Sequence, residues 1–313
     1  MALPALSIVV VNWNTRELLL RLLAQLAPSA AAATEVIVVD NASSDGSADA
    51  AERAFPGARL VRAPENGGFA YGVNRGIAAA RGEWILLLNT DTDVDRAELD
   101  RFVAEAAAVP AGGVFGPRIV DEHGAVQSST WRRHGLWRPL LDALGFARLL
   151  DGAAPPQGTA EVDCVSGCVF LIRRAALEQT GALDERFFMY FEEADLCARV
   201  RAAGFGVFHL PATAFVHAGG LSATQAAERT FLAFRESCLL YHARWHGRLG
   251  TEWVRACLLL GTALRWTAMA LLGRAARRRL HGAALRRLLR PGLVRELCAR
   301  PRRVPAVAAR PRA

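Results

Sequence analysis

Three runs of the sequence, Leu6–Val11 (LSIVVV), Glu35–Val39 (EVIVV) and Trp84–Leu88 (WILLL), are nearly unbroken apolar stretches that stop abruptly at Asn12, Asp40 and Asn89. A strand covered on one face alternates apolar and polar residues, whereas a continuous run indicates cover on both faces. Between these runs, Glu17–Leu26, Ala48–Ala54 and Phe69–Ala80 space their apolar residues at helical intervals. The chain therefore reads as parallel strands joined by crossover helices, an architecture that holds its ligands at the C-terminal ends of the strands. Asp40 and Asp91 both fall at such ends.

Arg59–Arg62 is a further short strand, Glu98–Ala108 is helical, and Val114–Val120 and Val165–Ile172 return to the sheet, the last followed by a helix at Arg174–Thr180. From Trp131 to Glu161 the periodicity breaks, which suits a substrate-side loop or a plain surface insertion. Glu192–Ala203 reads as a helix and Gly206–Leu210 as a strand, after which Pro211 and the turn HAGGLS close a compact domain at about residue 222. The expectation is an α/β domain over 1–222 and a mostly helical region over 223–313.

At 313 residues the chain can bury a full-sized core with room for one large domain and an appendage. Its six cysteines, with Cys164 and Cys168 lacking a second ligand pair, are expected as small buried side chains in a reducing compartment, not as a disulfide framework or a zinc site. MALPALSIVVVNWN has no basic start and reaches a polar NWN quickly, so it is expected to be a first buried strand of a cytoplasmic domain and not a signal peptide.

The formal net charge of +8 is concentrated at one end, with thirteen arginines and a single acid, Glu296, between Arg274 and Ala313. Just before them, Ala256–Gly273 is apolar apart from Arg265. A membrane span needs about 20 apolar residues, and an arginine at mid-helix costs about 3 kcal/mol on insertion. An amphipathic helix over about 251–273 is therefore expected to lie in the interface, with Trp253, Trp266 and the arginine-rich tail against an anionic membrane surface. The competing expectation is a helix packed on the first domain or on a second copy in a homo-oligomer. Nucleic acid is not an expected partner, because no basic and aromatic face accompanies the arginines in the first domain.

Asn89, Asp91 and Asp93 lie two apart in NTDTD. On an extended backbone they share one face and can offer oxygen ligands to Mg2+ or Mn2+ bridging a diphosphate, although such an acidic turn also starts helices, a role open to Asp95. Glu192, Glu193 and Asp195 cluster at a helix start in FFMYFEEADLCAR. A carboxylate there can take the proton of an attacking hydroxyl; acids in a first turn also complement the helix dipole, and Asp195 can pair with Arg199. His217, ending an apolar run before two glycines, is either structural or the imidazole that completes a metal shell. Asp40 can accept from a base imide N–H or shape the turn NASSDGS. ENGGFAYGVNRG permits close backbone approach and puts Asn74 and Arg75 near a ligand, or its glycines serve helix packing. It is neither GxGxxG after a first strand nor GxxxxGK[ST], so a dehydrogenase or P-loop NTPase is disfavoured.

Taken in order, VVVNWNT, VVVDNASSDGS, ENGGFAYGVNRGI, LLLNTDTDV, VSGCVFLIRRAAL, LDERFFMYFEEADLCARVRAAGF and HAGGLS resemble family 2 glycosyltransferases over about residues 6–222. Within that family the chain is most similar to the bacterial rhamnosyltransferase-like enzymes of cell-wall and O-antigen assembly. The resemblance implies a GT-A fold, a Rossmann-like nucleotide-diphospho-sugar transferase domain, and metal-dependent transfer with inversion. It puts Asp40 against the base, Asn89 and Asp91 at the two metal-motif positions with the first an amide, Asp93 as a helper, and His217 as the late metal-binding histidine. The family base is usually the aspartate of a Glu-Asp pair; Glu193 stands there, with Glu192 and Asp195 as rivals. Asn12, Asn41, Asn66, Gly68 and Asn74 join Asp40 and Asn89 as expected donor contacts. The implied donor is a dTDP- or UDP-sugar, first dTDP-L-rhamnose, and the implied acceptor is a polyprenyl-diphosphate-linked glycan or polysaccharide at the cytoplasmic membrane face. Two readings compete. A nucleotidyltransferase would favour a Gly- and Arg-rich gripping loop where this chain has NWNTRE, and a non-catalytic sugar-nucleotide-binding protein would accommodate the departures at Asn89 and Glu193.

Overall fold

The computed structural model describes residues 5–26, 34–132, 135–146, 155–219, 227–301 and 304–307. Strands β1 (Leu6–Asn12), β2 (Thr34–Asp40), β3 (Arg59–Arg62) and β4 (Trp84–Asn89) alternate with helices α1 (Arg16–Leu26), α2 (Ser47–Ala54) and α3 (Phe69–Ala79). These four strands pair in parallel, β3-β2-β1-β4, as the hydrophobic runs require. Both faces are covered: Ile8 and Val10 point into one core with Leu19 and Leu22 of α1, while Val9 points into the other with Val73 and Ile77 of α3. A side chain at Gly76 would bring its Cβ within 2.2 Å of Val9 Cγ1, so the glycine lets α3 lie directly on the sheet.

The remainder of the sheet is mixed, a feature on which the sequence reading was silent. After the two-residue β5 (Thr92–Asp93), α4 (Arg96–Ala107) and β6 (Gly112–Val120), the chain makes the short elements β7 (Thr130–Trp131), α5 (Arg138–Ala143), β8 (Ala160–Glu161) and β9 (Cys164–Val165). Then β10 (Val169–Arg173) inserts antiparallel between β4 and β6. A continuous apolar strand reads the same in either direction, so hydrophobicity alone did not reveal this reversal. The excursion expected over 131–161 thus contains short strands and a helix, and its residues 133–134 and 147–154 lie outside the described residues.

Helices α6 (Arg174–Thr180) and α7 (Glu192–Ala202) lead to β11 (Gly206–His217), which runs parallel to β6. This strand does not end at Leu210. A register shift between Leu210 and Ala214 absorbs Pro211, and pairing resumes to Val216. A bulge is one of the few places where a strand tolerates proline. Beyond it, β5 pairs antiparallel with the end of β11, His217 opposite Thr92.

The C-terminal part is helical: α8 (Ala227–Trp245), α9 (Gly247–Leu271), α10 (Ala275–Leu289) and α11 (Leu293–Ala299). The expected boundary at 222 and residues 220–222 of HAGGLS lie outside the described residues. Helix α8 packs on the sheet domain, with Cys238, Leu239, Leu240 and Tyr241 in the same core as Val9 and Phe170. All six cysteines are free; five are buried, and Cys298, contrary to expectation, is exposed.

Candidate active site

A cavity of about 260 Å³ opens where β1, β4 and β11 end and α7 begins. It collects residues from every motif named above: Asn41, Asn66, Gly68, Asn89, Asp91, Glu192, Glu193 and His217.

Asn12 and Asp40, the last residues of β1 and β2, brace its floor without lining it. Asn12 lies opposite Asp40 in the parallel register. Its Nδ2 donates to Asp40 Oδ1 (3.1 Å), Ser43 Oγ (3.0 Å) and Ser47 Oγ (2.8 Å), while Asp40 Oδ2 accepts from Ser43 N at 3.0 Å. Both side chains are buried in this bracing. Asn12 and Asp40 therefore do not line the cavity, in contrast to the expected donor contacts. Asn41, the next residue, does: its Nδ2 donates to Gly68 O (2.9 Å) and Asn66 Oδ1 (3.2 Å), and its buried Oδ1 has no partner among the described residues. That free carbonyl oxygen is suited to an imide N–H. Gly68 (φ 99°) allows the turn before α3 to press against residue 188, where an added Cβ would stand 2.2 Å from the carbonyl oxygen of Phe188. Asn74 lies elsewhere, pinning the 183–185 loop through hydrogen bonds to Leu183 and Glu185.

Asn89, Asp91 and Asp93 do not share a face. The chain turns at Thr90–Asp91 between β4 and β5, which breaks the two-residue period. Asn89 and Asp91 line the cavity, whereas Asp93 is bound on the other side by Arg21 and by Gln25 Nε2 (3.1 Å) of α1. Asp95 caps α4, accepting from Glu98 N at 3.0 Å. His217 approaches Asp91 from β11, its Nε2 3.3 Å from Asp91 Oδ1. Backbone contacts fix the pair: Ala218 N donates to Asp91 O (3.0 Å) and Gln127 Nε2 to His217 O (2.8 Å).

This pair passes a simple test for a divalent ion. One carboxylate and one imidazole face the cavity, and the buried Nε2 of His217, 3.3 Å from Asp91 Oδ1, makes no hydrogen bond among the described residues. Both are ligand types that Mg2+ or Mn2+ accepts. No cluster of three His, Cys, Asp or Glu with ligand geometry occurs among the described residues, so a bound ion would take its other ligands from substrate and water.

The acids of FFMYFEEADLCAR divide between two roles. Tyr190 and Phe191 adopt left-handed backbone conformations (φ 70° and 67°), uncommon for aromatic residues and held here by packing from α8. The Phe191 ring lies 5.6 Å from Tyr241 and 5.4 Å from Phe234, and Ser237 Oγ donates to Met189 O at 2.9 Å. This turn delivers Glu192 and Glu193 into the cavity at the start of α7. Burial raises the pKa of both, and repulsion from Glu193 lifts Glu192 further, well above the carboxylate range. Each leaves its Oε2 without a partner among the described residues. Asp195 faces the other way and takes Arg199 Nε (2.8 Å), Arg244 Nη1 (3.1 Å) and Trp245 Nε1 (3.1 Å), which removes it as a rival base. Cys168, also on the cavity wall, stays a neutral thiol, its pKa pushed by burial to about 11.

Residues 7–181 match the family model described as Glycosyl transferase family 2. The chain belongs to this glycosyltransferase family. Among similar curated proteins, the N-acetylglucosaminyl-diphospho-decaprenol L-rhamnosyltransferase of Mycobacterium tuberculosis is 29% identical over 84% of this chain and 88% of its own length. The low-salt glycan biosynthesis hexosyltransferase Agl10 of Haloferax volcanii is 25% identical over 76% of this chain and 75% of that protein. In structure the glycosyltransferase resembles the mannosyltransferase PcManGT of Pyrobaculum calidifontis, solved with GDP-Man and Mn2+ (TM-score 0.57, 20% identity, 96% of this chain and 86% of that one). It also resembles GalNAc-T7, solved with UDP, GalNAc and Mn2+ (TM-score 0.56, 16% identity, 79% and 51%). These likenesses establish the GT-A fold.

The cavity also contains residues that sequence reasoning missed: Trp13, Phe188, and Arg229 with Thr230 from the first turn of α8. Trp13 follows the end of β1, a position that could have flagged it. Arg229 carries no local signal, because only the packing of α8 on the sheet brings it to the cavity mouth.

Proposed function

We propose that this family 2 glycosyltransferase moves L-rhamnose from dTDP-L-rhamnose to a polyprenyl-diphosphate-linked acceptor, with inversion, at the cytoplasmic face of the membrane. The observation that carries the reading is the convergence of Asp91, His217, Glu192 and Glu193 on one cavity, in a chain similar along most of its length to a lipid-linked rhamnosyltransferase. Asn41 Oδ1 accepts from the base, with Asn66, Gly68 and Asn89 lining the rest of the donor site. Asp91 and His217 would hold Mg2+ or Mn2+; when bound, the ion neutralises charge building on the departing nucleotide diphosphate.

Glu193 takes the proton. Of the coupled pair it is the more exposed and the less perturbed, so it ionises first, and its charge keeps Glu192 protonated. The acceptor hydroxyl attacks the anomeric carbon as its proton passes to the Glu193 carboxylate, and the nucleotide diphosphate leaves from the opposite face.

The division at about 222 assigns catalysis to the first region and membrane contact to the second. Helix α9, with 25 residues, is long and apolar enough to cross a membrane. Arg265, in its C-terminal third, donates to Asp142 O at 2.7 Å on α5, which favours a helix resting on the surface. The decisive experiment is a donor screen against a lipid-linked acceptor with linkage analysis of the product, run beside Glu193→Gln. Rhamnosyl transfer by the native chain, lost in the variant with donor binding intact, is expected. Selective use of another sugar nucleotide would overturn the donor, and turnover by the variant would overturn the base.

A further inference from the structure

Outside the catalytic cavity, α8, α9 and α10 enclose a separate groove of about 610 Å³, lined by Arg278, Arg279, Arg286, Trp266, Glu228 and Gly282. Its chemistry is one-sided. The three arginines are exposed and have no ion-pair partner among the described residues, and Glu228 is the only acid lining the groove. Unpaired guanidinium groups on one helix face repel one another, and their geometry suits oxygens of a phosphate or carboxylate. Gly282 leaves space between them: a Cβ there would meet Trp266 Nε1 at 3.3 Å and Arg286 Nη1 at 3.7 Å. The indole N–H of Trp266 makes no hydrogen bond among the described residues, so it adds a fourth donor group to the same space.

Two neighbours set the kind of anion. Next to Glu228 in α8 stand Arg229 and Thr230, which line the catalytic cavity, so one turn of α8 contributes to both spaces. The C-terminal end of α9 also exposes large apolar side chains: Trp266 is 40% exposed, Leu264 50%, Leu271 85% and, just beyond the helix, Leu272 63%. Cationic donors beside Trp266, on a helix that also exposes leucines, match a phosphorylated head joined to a hydrocarbon chain.

We infer that this groove binds the diphosphate of a lipid-linked acceptor, seating it on Arg278, Arg279 and Arg286 while the lipid extends over the exposed leucines of α9. The inference rests on the lipid-linked acceptor proposed above. Three arginines against one glutamate leave an excess of positive charge that suits a diphosphate diester with both phosphates ionised. Arg229, which donates to Asn66 O at 3.3 Å and stacks 3.8 Å over the Phe188 ring, marks the passage by which the attached sugar enters the cavity.

The test uses the full chain and Arg278→Ala/Arg279→Ala/Arg286→Ala, with folding checked by thermal denaturation. Sedimentation is measured with phosphatidylcholine vesicles carrying either polyprenyl diphosphate or phosphatidylglycerol at equal surface charge. The native chain is expected to prefer the diphosphate vesicles, and the variant to lose that preference by roughly tenfold. In transfer assays the variant's KM for the lipid-diphosphate acceptor is expected to rise by a similar factor while its donor KM stays the same. Equal binding of both vesicle types by the native chain, or a variant that keeps the preference, would overturn the site. The vesicle measurement needs no turnover, so it stays informative if no lipid-linked acceptor is glycosylated, the result that would instead sink the proposed function.

Discussion

Trp245 Nε1, at the end of α8, donates to Asp195 Oδ1 at 3.1 Å, tying the C-terminal helices to the helix that begins with Glu192 and Glu193. Asp195 is fully buried and its carboxylate also holds Arg199 and Arg244. Asp195→Asn is expected to destabilise the chain by about 3–5 kcal/mol, because two cationic partners lose their counter-charge in a buried setting. Trp245→Phe removes a single hydrogen bond to a charged group and should cost about 1.5–3 kcal/mol. Denaturant unfolding checks both, and equal losses would show that the indole, not the charge, dominates the junction.

Activity should depend on pH through Glu193. Burial raises its pKa, so the ionised base is lost at a higher pH than for a free carboxylate. The acid limb of kcat/KM is accordingly expected above the ordinary carboxylate range. A profile that stays flat down into that range would remove Glu193 as the base.

Glu192 gives a stability prediction of defined sign. Its folded-state pKa lies well above the unfolded one, so the folded chain binds more protons between the two values and loses stability as pH rises through that window. Glu192→Gln keeps the neutral form at every pH. The variant should match the native chain at acidic pH, exceed its melting temperature at neutral pH, and show a flatter dependence between. A parallel pair of melting curves would rule out a protonated Glu192.

Asp91 and Asp93 should behave differently despite their spacing. Asp91→Ala is expected to weaken Mn2+-dependent donor binding by roughly 100-fold or more, since even groups that only orient metal ligands cost 10–100-fold. Asp93→Asn loosens the contacts with Arg21 and Gln25 and should leave that affinity unchanged. Calorimetric titration of the donor with and without Mn2+ separates them.

Gly68→Ala should damage both fold and site. The new methyl meets the Phe188 carbonyl in a backbone conformation that L side chains rarely adopt. Lower thermal stability together with weakened donor binding is expected, and a variant with native melting and binding would show that the turn relaxes freely.

The parallel half of the sheet was legible because each of its strands is continuously apolar and stops at a polar residue. The same runs located Asn89 and Asp91, and the acids before Leu196 located Glu192 and Glu193. Direction was not written in composition, which is why the reversal of β10 could not be read from its apolar run. Which carboxylates face the cavity was also hidden: Asp93 and Asp195 look like their neighbours in sequence, and only the turn after Asn89 and the arrival of Arg244 and Trp245 take them away. Arg229 was illegible for a related reason, since its place depends on the docking of α8.

The partnership of Asp91 with His217 also has a temporal meaning. A nascent chain released from the ribosome through β10 already has the strand ends that carry Asn41 and Asp91, yet it lacks the imidazole and leaves β6 unpaired along one edge. Addition of β11 zips that edge and delivers the histidine in a single event. An unfinished polypeptide thus cannot set an imidazole beside Asp91, and the pair exists only after the final strand has joined the sheet.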